Sequence, residues 1–276
     1  MQIKEITDKT IWEGFLLGCS EKTFLHSWNW GEFEQKRNHH IWRFGFFDAS
    51  ELVGVAFAVK ISARRGTFLL VPHGPVLADA ALRSLDKKQE ALQLLLRKLS
   101  EIGEQEKAAF LRISPLWERT EENKKLFQNQ GFREASMHAD YTYEASWKLN
   151  LTIPEAELLK NMRKTTRYLI GQTSRNEDIS VEISDNEKDI ERYDELNQEI
   201  AARQQFIPFS KEYIKNEFEV FAKDRETLWI FGIYKGKLAA GALIIFWSGI
   251  AFYHQAASRR EFAKLSLPYL LQWEAI

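Results

Sequence analysis

The sequence predicts an α/β protein, in the α+β sense, built as two tandem lobes that are each a mixed, largely antiparallel sheet flanked by helices. Three observations lead there. The chain has 276 residues, which suits two lobes of about 100–150 residues each. Runs with strand alternation and runs with helical periodicity follow one another along it. A hairpin signature also occurs twice, 187 residues apart: Trp42-x-Phe44-Gly45-x-Phe47 before Leu52, and Trp229-x-Phe231-Gly232-x-Tyr234 before Leu238. Small and apolar residues follow in both, Val53-Gly54-Val55-Ala56 and Ala239-Ala240-Gly241-Ala242, with a one-residue difference placed in the turn. Internal similarity of this kind points to duplication. Duplication makes the cleft between the copies the expected place for a large substrate. The expected division is 1–150 and 151–276.

The first lobe opens with helices over Ile11–Leu17 and Trp28–Lys36. Strands follow over Trp42–Phe47, Leu52–Ile61 and Thr67–Val71, rich in Val and Phe. Arg64-Arg65-Gly66 makes a turn, and Pro72-His73-Gly74-Pro75 breaks the third strand. Leu85, Leu92, Leu95, Leu96 and Leu99 give helical periodicity to Leu82–Gln105. A strand over Ala109–Ile113 stops at Pro115, a helix over Glu121–Gln130 ends at Gly131, and a strand is expected over Tyr141–Leu149. In the second lobe, strands are expected over Ile179–Ile183, Leu228–Tyr234, Leu238–Trp247 and Ile250–Gln255. Helices are expected over Glu187–Arg203, Lys211–Lys223 and from Ser266.

Composition narrows the function. A hydrophobic fraction of 45% allows a sizeable core. Net charge is −1, so no global field draws in nucleic acid and any anion site must be local. One cysteine, Cys19, excludes an internal disulfide and most zinc sites, and is expected as a small buried hydrophobe. The six histidines show no metal-ligand spacing and are expected to be structural or exposed. No run of about 18 apolar residues occurs and the N-terminus lacks the apolar core of a signal peptide, which makes a cytoplasmic chain the expectation.

One local feature stands out. Thr152-Ile153-Pro154-Glu155 reads as a capping box that starts a helix running to about Thr173. On it, Lys160, Arg163, Lys164 and Arg167 fall at i, i+3, i+4 and i+7, which would gather four cations on one face. Few acids lie near to neutralise them. The alternatives are a solvated basic face or an anion site, most simply for phosphates, which arginine can grip with two parallel hydrogen bonds. Tyr168 stands beside Arg167, to stack, donate a hydrogen bond or pack in the core.

Several segments then resemble the FemABX family of peptidoglycan-bridge aminoacyltransferases, in order along essentially the whole chain. Phe24-Leu25-His26-Ser27-Trp28-Asn29-Trp30-Gly31-Glu32-Phe33 is similar to its N-terminal signature and Val71-Pro72-His73-Gly74-Pro75-Val76 to its Pro-x-Gly-Pro segment. Met162-Arg163-Lys164-Thr165-Thr166-Arg167-Tyr168 resembles its basic helix. Phe252-Tyr253-His254-Gln255-Ala256-Ala257-Ser258 and Leu270-Leu271-Gln272-Trp273-Glu274-Ala275-Ile276 resemble its late signatures.

The resemblance implies a pair of lobes like N-acetyltransferase (GNAT) domains; the helix-then-Gly-Phe pattern at Leu126-Phe127 and Gly131-Phe132 agrees with that. It implies transfer of an amino acid from aminoacyl-tRNA, the co-substrate, to a stem-peptide amine of a UDP-linked or lipid-linked muropeptide. No cofactor or metal is implied. Peripheral contact with the inner membrane face and a monomeric state are expected. Lys36 and Arg167 are implied as ligands of the precursor's diphosphate. The expected substrate-binding set is Lys36, Arg163, Lys164, Arg167, Tyr168, Trp28, Trp30 and Tyr253. No catalytic base is assigned.

Three departures qualify this. Ser114 precedes Pro115 where relatives carry an acid. The chain stops at Ile276 inside an expected helix, where relatives continue with strands bearing cleft residues, so a C-terminally truncated chain is expected. Between Arg192 and Lys223 there is only a short helix–loop–helix passage, as in members that lack the coiled-coil arm. Two alternatives stand beside this reading: a CoA-dependent N-acyltransferase of the same fold, although Arg259-Arg260-Glu261-Phe262-Ala263-Lys264 lacks the glycines of a pyrophosphate loop, and a non-catalytic binder of an anionic precursor.

Overall fold

The computed structural model describes residues 1–64, 66–135 and 146–276. The chain divides into two compact units, Met1–Ala145 and Ser146–Ile276.

The first unit has strands β1 (Gln2–Glu5), β2 (Ile41–Asp48), β3 (Glu51–Ala63), β4 (Gly66–His73), β5 (Val76–Leu77) and β6 (Phe110–Pro115). Its helices are α1 (Lys9–Leu17), α2 (Trp28–Lys36), α3 (Asp79–Leu82), α4 (Leu85–Gln105) and α5 (Glu121–Asn129). The sheet order is β1-β2-β3-β4-β6, with β5 added to β3. Among the described residues only the β4–β6 pair of this unit is parallel. Alternation puts Phe44, Phe46, Ala56, Ala58, Leu69 and Val71 on one face, against the stripe Leu95, Leu99 and Ile102 of α4. Each of those large side chains is worth about 1.5–3 kcal/mol when fully buried. The single helix expected over Leu82–Gln105 is two helices. Ser84 leaves the helical conformation and its hydroxyl accepts the Lys87 N–H at 3.3 Å, so α4 starts afresh. The strand expected over Tyr141–Leu149 lies outside the described residues as far as 145, as do His138 and Arg65; 146–149 carries no regular structure.

The second unit has helices α6 (Glu155–Asn161), α7 (Lys164–Ser174), α8 (Ile190–Gln204), α9 (Lys211–Ala222) and α10 (Leu267–Ala275). Its strands are β7 (Ile179–Ser184), β8 (Thr227–Tyr234), β9 (Lys237–Trp247) and β10 (Ile250–Ser258). They pair antiparallel in the order β10-β9-β8-β7. Helices α8 and α9 cover one face around the fully buried Trp229, which stacks on Tyr193 and Phe218. Helix α10 covers the other, with Leu267 and Leu271 on Ile230, Ala240 and Ile244.

The repeated hairpins are β2–β3 and β8–β9, and both close on two-residue turns. Asp48 faces Glu51, and Tyr234 faces Lys237. Lys235 and Gly236 both have positive φ, which the second turn demands and which Gly supplies freely. The one-residue difference expected in the turns therefore lies within the strands instead. Each second strand also carries one unpaired extra residue at the same place in the repeat, Val53 and Ala239.

Candidate functional site

In the first unit the N-terminal signature builds α2. Ser27 caps it, its hydroxyl accepting the Trp30 N–H at 3.0 Å, and the Glu13 carboxylate accepts the Trp28 N–H at 2.5 Å. The Arg43 guanidinium lies over the half-buried Trp28 ring, 3.7 Å from its centroid, and donates to the Trp28 carbonyl and to Glu32. Gly31 is the residue that admits it, because a Cβ there would stand 2.2 Å from Arg43 Nη2. Lys36 is exposed in the last turn of α2, where a cation also suits the helix dipole. Trp30 corrects an expectation. It is 2% exposed, packed against Phe24 and Phe33, so its ring serves the core and presents no surface to a substrate.

The same signature and the Pro-x-Gly-Pro segment meet at two buried histidines. His26 Nε2 accepts the Phe57 N–H at 3.1 Å, which fixes its neutral form. Trp12 stacks on that ring and donates to the His26 carbonyl at 2.7 Å. Gly74 touches its edge so closely that an added Cβ would lie 2.4 Å from Cε1. His73 pairs through Nδ1 with the Thr23 hydroxyl at 2.7 Å. Burial pulls His26 down to about 3, with His73 adding to the effect, and pulls His73 down to about 4. Both imidazoles are therefore neutral scaffold groups at physiological pH. Through Gly74 against His26 and Thr23 with His73, the two motifs pack on each other.

The second unit alters the picture of the cationic helix. No capping box forms: the Thr152 hydroxyl donates to Asn150, and Pro154 stands at the start of α6 without a side-chain cap. The helix then breaks, with Met162 and Arg163 extended, and α7 begins at Lys164. A single basic face from Lys160 to Arg167 is thus absent. Arg167 folds back and donates through Nη1 to the carbonyls of Lys160, at 2.8 Å, and Met162, so it closes the end of α6. Lys160, Arg163 and Lys164 surround this joint, all exposed. Helix α7 has no acid in its first turn and no side-chain cap, and Arg163 and Lys164 stand at its start. Tyr168 is 64% exposed beside them.

Helix α7 packs on α10, and its buried Thr173 donates to the carbonyl of Leu265, just before α10, at 2.9 Å. Helix α10 covers the sheet face on which Tyr253 lies. The Tyr253 ring is packed there, and burial pushes its hydroxyl up to about 12. It therefore remains a hydrogen-bond donor at neutral pH.

A group that sequence reasoning passed over lies on the opposite face. His254 Nε2 is 2.9 Å from Glu217 Oε1, and that carboxylate is wholly buried. A signal was present, since Glu217 interrupts the apolar stripe Ile214, Phe218 and Phe221 at i, i+3, i+4 and i+7. Arg259, which begins the segment weighed for CoA, is engaged by Glu195 and Glu199 and is followed by a 3-10 turn, Arg260–Leu265. Among the described residues no cluster of metal-ligating side chains occurs, and no helix is long and apolar enough to cross a membrane.

The chain is similar over 99% of its length to a crystal structure of FemX, covering 84% of that chain at 16% identity with a TM-score of 0.80. A conserved protein of unknown function from Bacteroides thetaiotaomicron VPI-5482 matches over 99% of this chain and 86% of its own at 14% identity, TM-score 0.56. So does a tandem GNAT protein from the clavulanic acid biosynthesis pathway, over 99% and 84% at 10% identity, TM-score 0.56. No curated protein sequence matches significantly. These likenesses establish the tandem GNAT-like fold. The FemAB family model matches residues 8–231, most of the chain including α2, the two histidine motifs and the α6–α7 joint, and the chain therefore belongs to the FemAB family.

Proposed function

We propose that this protein transfers an amino acid from aminoacyl-tRNA to a stem-peptide amine of a peptidoglycan precursor, and that the α6–α7 joint binds the precursor's diphosphate. Family membership supports the reaction class. The observation that carries the binding role is the uncapped start of α7 ringed by Lys160, Arg163 and Lys164, with Arg167 bracing the joint. Lys36 is proposed as a further diphosphate ligand, and Trp28 and Tyr168 as half-buried and exposed aromatic contacts. The precursor is UDP-linked or lipid-linked, and the protein acts in the cytoplasm as a monomer without a cofactor.

In the reaction the amine attacks the ester carbonyl, forming a C–N bond. The C–O bond to the terminal ribose breaks, and the proton lost by the amine ends on the ribose hydroxyl. Orientation of two bound substrates accounts for much of the rate, and Tyr253, protonated at neutral pH, donates to the oxyanion as it develops. The test is incubation with a mixture of charged tRNAs and a UDP-muropeptide, read by mass. Arg163→Ala/Lys164→Ala removes two exposed cations without disturbing Arg167. We expect about tenfold or greater loss of muropeptide affinity, from about 1.5 kcal/mol per charge-assisted hydrogen bond, with an unchanged melting temperature. Unchanged affinity would remove the joint from the binding site.

A further inference from the structure

The ladder between β10 and β9 slips by one residue at His254. Tyr253 faces Ile244, Gln255 faces Leu243, and His254 is the extra residue between them. A one-residue slip exchanges the faces of all that follows. Before it, Ala251 and Tyr253 lie on the α10 face with Ile244. After it, Ala257 packs on the opposite face with Trp229, Tyr193 and Leu243. Without the bulge, Tyr253 and Ala257 would share a face, and one of them would be on the wrong side of the sheet.

His254, the extra residue at the slip, is the one that Glu217 of α9 holds at 2.9 Å, and the Gln255 amide nitrogen stands 3.3 Å from the same imidazole nitrogen. Glu217 is 0% exposed, and its second oxygen, Oε2, has no hydrogen-bond partner among the described residues. A buried carboxylate is tolerated only where it is paired. The His254 contact is thus both the reason Glu217 can be buried and the fastening of the bulge. We infer that Glu217 and His254 are positioning residues, whose contact holds the β10 bulge in register and so sets the direction of the Tyr253 hydroxyl towards the transferring acyl group. This rests on the reading of Tyr253 as the oxyanion donor.

The experiment uses the full chain with 3-fluorotyrosine at position 253 and three variants: Glu217→Leu/His254→Phe, Tyr253→Phe, and all three changes together. Exchange of the pair for apolar side chains of similar volume keeps the core filled, so the chain stays folded. We expect the fluorine resonance of residue 253 to shift in the pair variant. We expect kcat for aminoacyl transfer to fall at least tenfold with KM nearly unchanged. Tyr253→Phe should cost on the order of 10²-fold in kcat, and the triple variant no more than Tyr253→Phe alone. His254→Gln, which keeps a donor toward Glu217, should restore most of the rate. An unmoved resonance, or losses that multiply in the triple variant, would overturn the inference. A shifted resonance in a chain whose wild type transfers nothing would leave the positioning role standing and remove the reaction assigned to it.

Discussion

Acid should unfold this protein early, and two histidines make the effect calculable. His26 and His73 are held neutral by burial, near 3 and 4, against about 6.5 for a free imidazole. Below pH 6.5 the unfolded chain therefore binds two protons that the native chain does not. Stability is complete above pH 6.5 and is lost as pH falls toward 4 and then 3. At about 1.4 kcal/mol per pH unit per group, the full differences are about 5 kcal/mol for His26 and about 3 kcal/mol for His73. At pH 5 each has cost about 2 kcal/mol, or about 4 together, a large share of the roughly 5–15 kcal/mol that holds a typical domain folded. Carboxylates lose little above pH 5, so the window from 6.5 to 5 isolates the histidines. Urea unfolding across that window should show a slope averaging about 2.2 kcal/mol per pH unit, steepening toward about 2.7 near pH 5, in the transition of the first unit. His73→Asn keeps a polar partner for Thr23 and cannot take up the proton, so it should halve the slope. An unchanged slope in that variant, or an imidazole carbon resonance of either residue titrating near 6.5 in the native chain, would refute the reasoning.

Gly74→Ala should cost about 2–3 kcal/mol by the same melts, because the new methyl would meet His26 Cε1 at 2.4 Å and that ring cannot retreat. Gly31→Ala should displace the Arg43 guanidinium from Trp28 and Glu32, seen as a change in Trp28 fluorescence and about 1–2 kcal/mol of lost stability. Arg167→Ala should free the carbonyls of Lys160 and Met162 and speed amide exchange in α6, with a stability cost of about 1–2 kcal/mol. Arg167→Glu adds repulsion of an anion to that local loss, so its binding defect has to be judged against Arg167→Ala.

Local chemistry explains which parts of this fold were legible. Helix α2 spans Trp28–Lys36 as expected, since Ser27 caps it and the polar Asn38-His39-His40 stretch ends it. The hairpins were legible twice over, by alternation and by repetition. The break between α6 and α7 was not. No glycine or proline marks Met162 and Arg163, and what replaces the helical hydrogen bonds there is the Arg167 side chain, four to five residues further on. A Thr-x-x-Glu pattern suggested a cap, while Pro154 already fixed the start of α6 in its own way. The bulge at His254 was equally silent, because the residue that compensates it, Glu217, lies 37 positions away. Of the expected site residues, Lys36, Arg163, Lys164 and Tyr168 are exposed, while Trp30 lies in the core because aromatic content alone does not separate a core ring from a ligand ring.

The duplication reaches further than the two hairpins. In the first unit Val76 faces Val55, Leu77 faces Gly54, and the Ala78 N–H donates to the Val53 carbonyl at 3.0 Å. In the second, Ala257 faces Gly241, Ser258 faces Ala240, and the Arg259 N–H donates to the Ala239 carbonyl at 2.9 Å. Counted back from these matched pairs, His73 and His254 occupy the same position in the third strand of each repeat. Both mark the place where that strand loses its register, between β4 and β5 in one unit and at the β10 bulge in the other. Both are fastened through one ring nitrogen by a side chain from a helical segment or its flank, Thr23 in one unit and Glu217 in the other. The two solutions differ in charge. The first unit fills the gap with a neutral imidazole backed by a second one, which gives rigidity and sensitivity to acid. The second sets a carboxylate against its histidine, beside a tyrosine whose ring is partly buried on the opposite face. A strand that must change phase needs a filler at the slip, and in the second unit that filler follows directly on the tyrosine proposed as the donor.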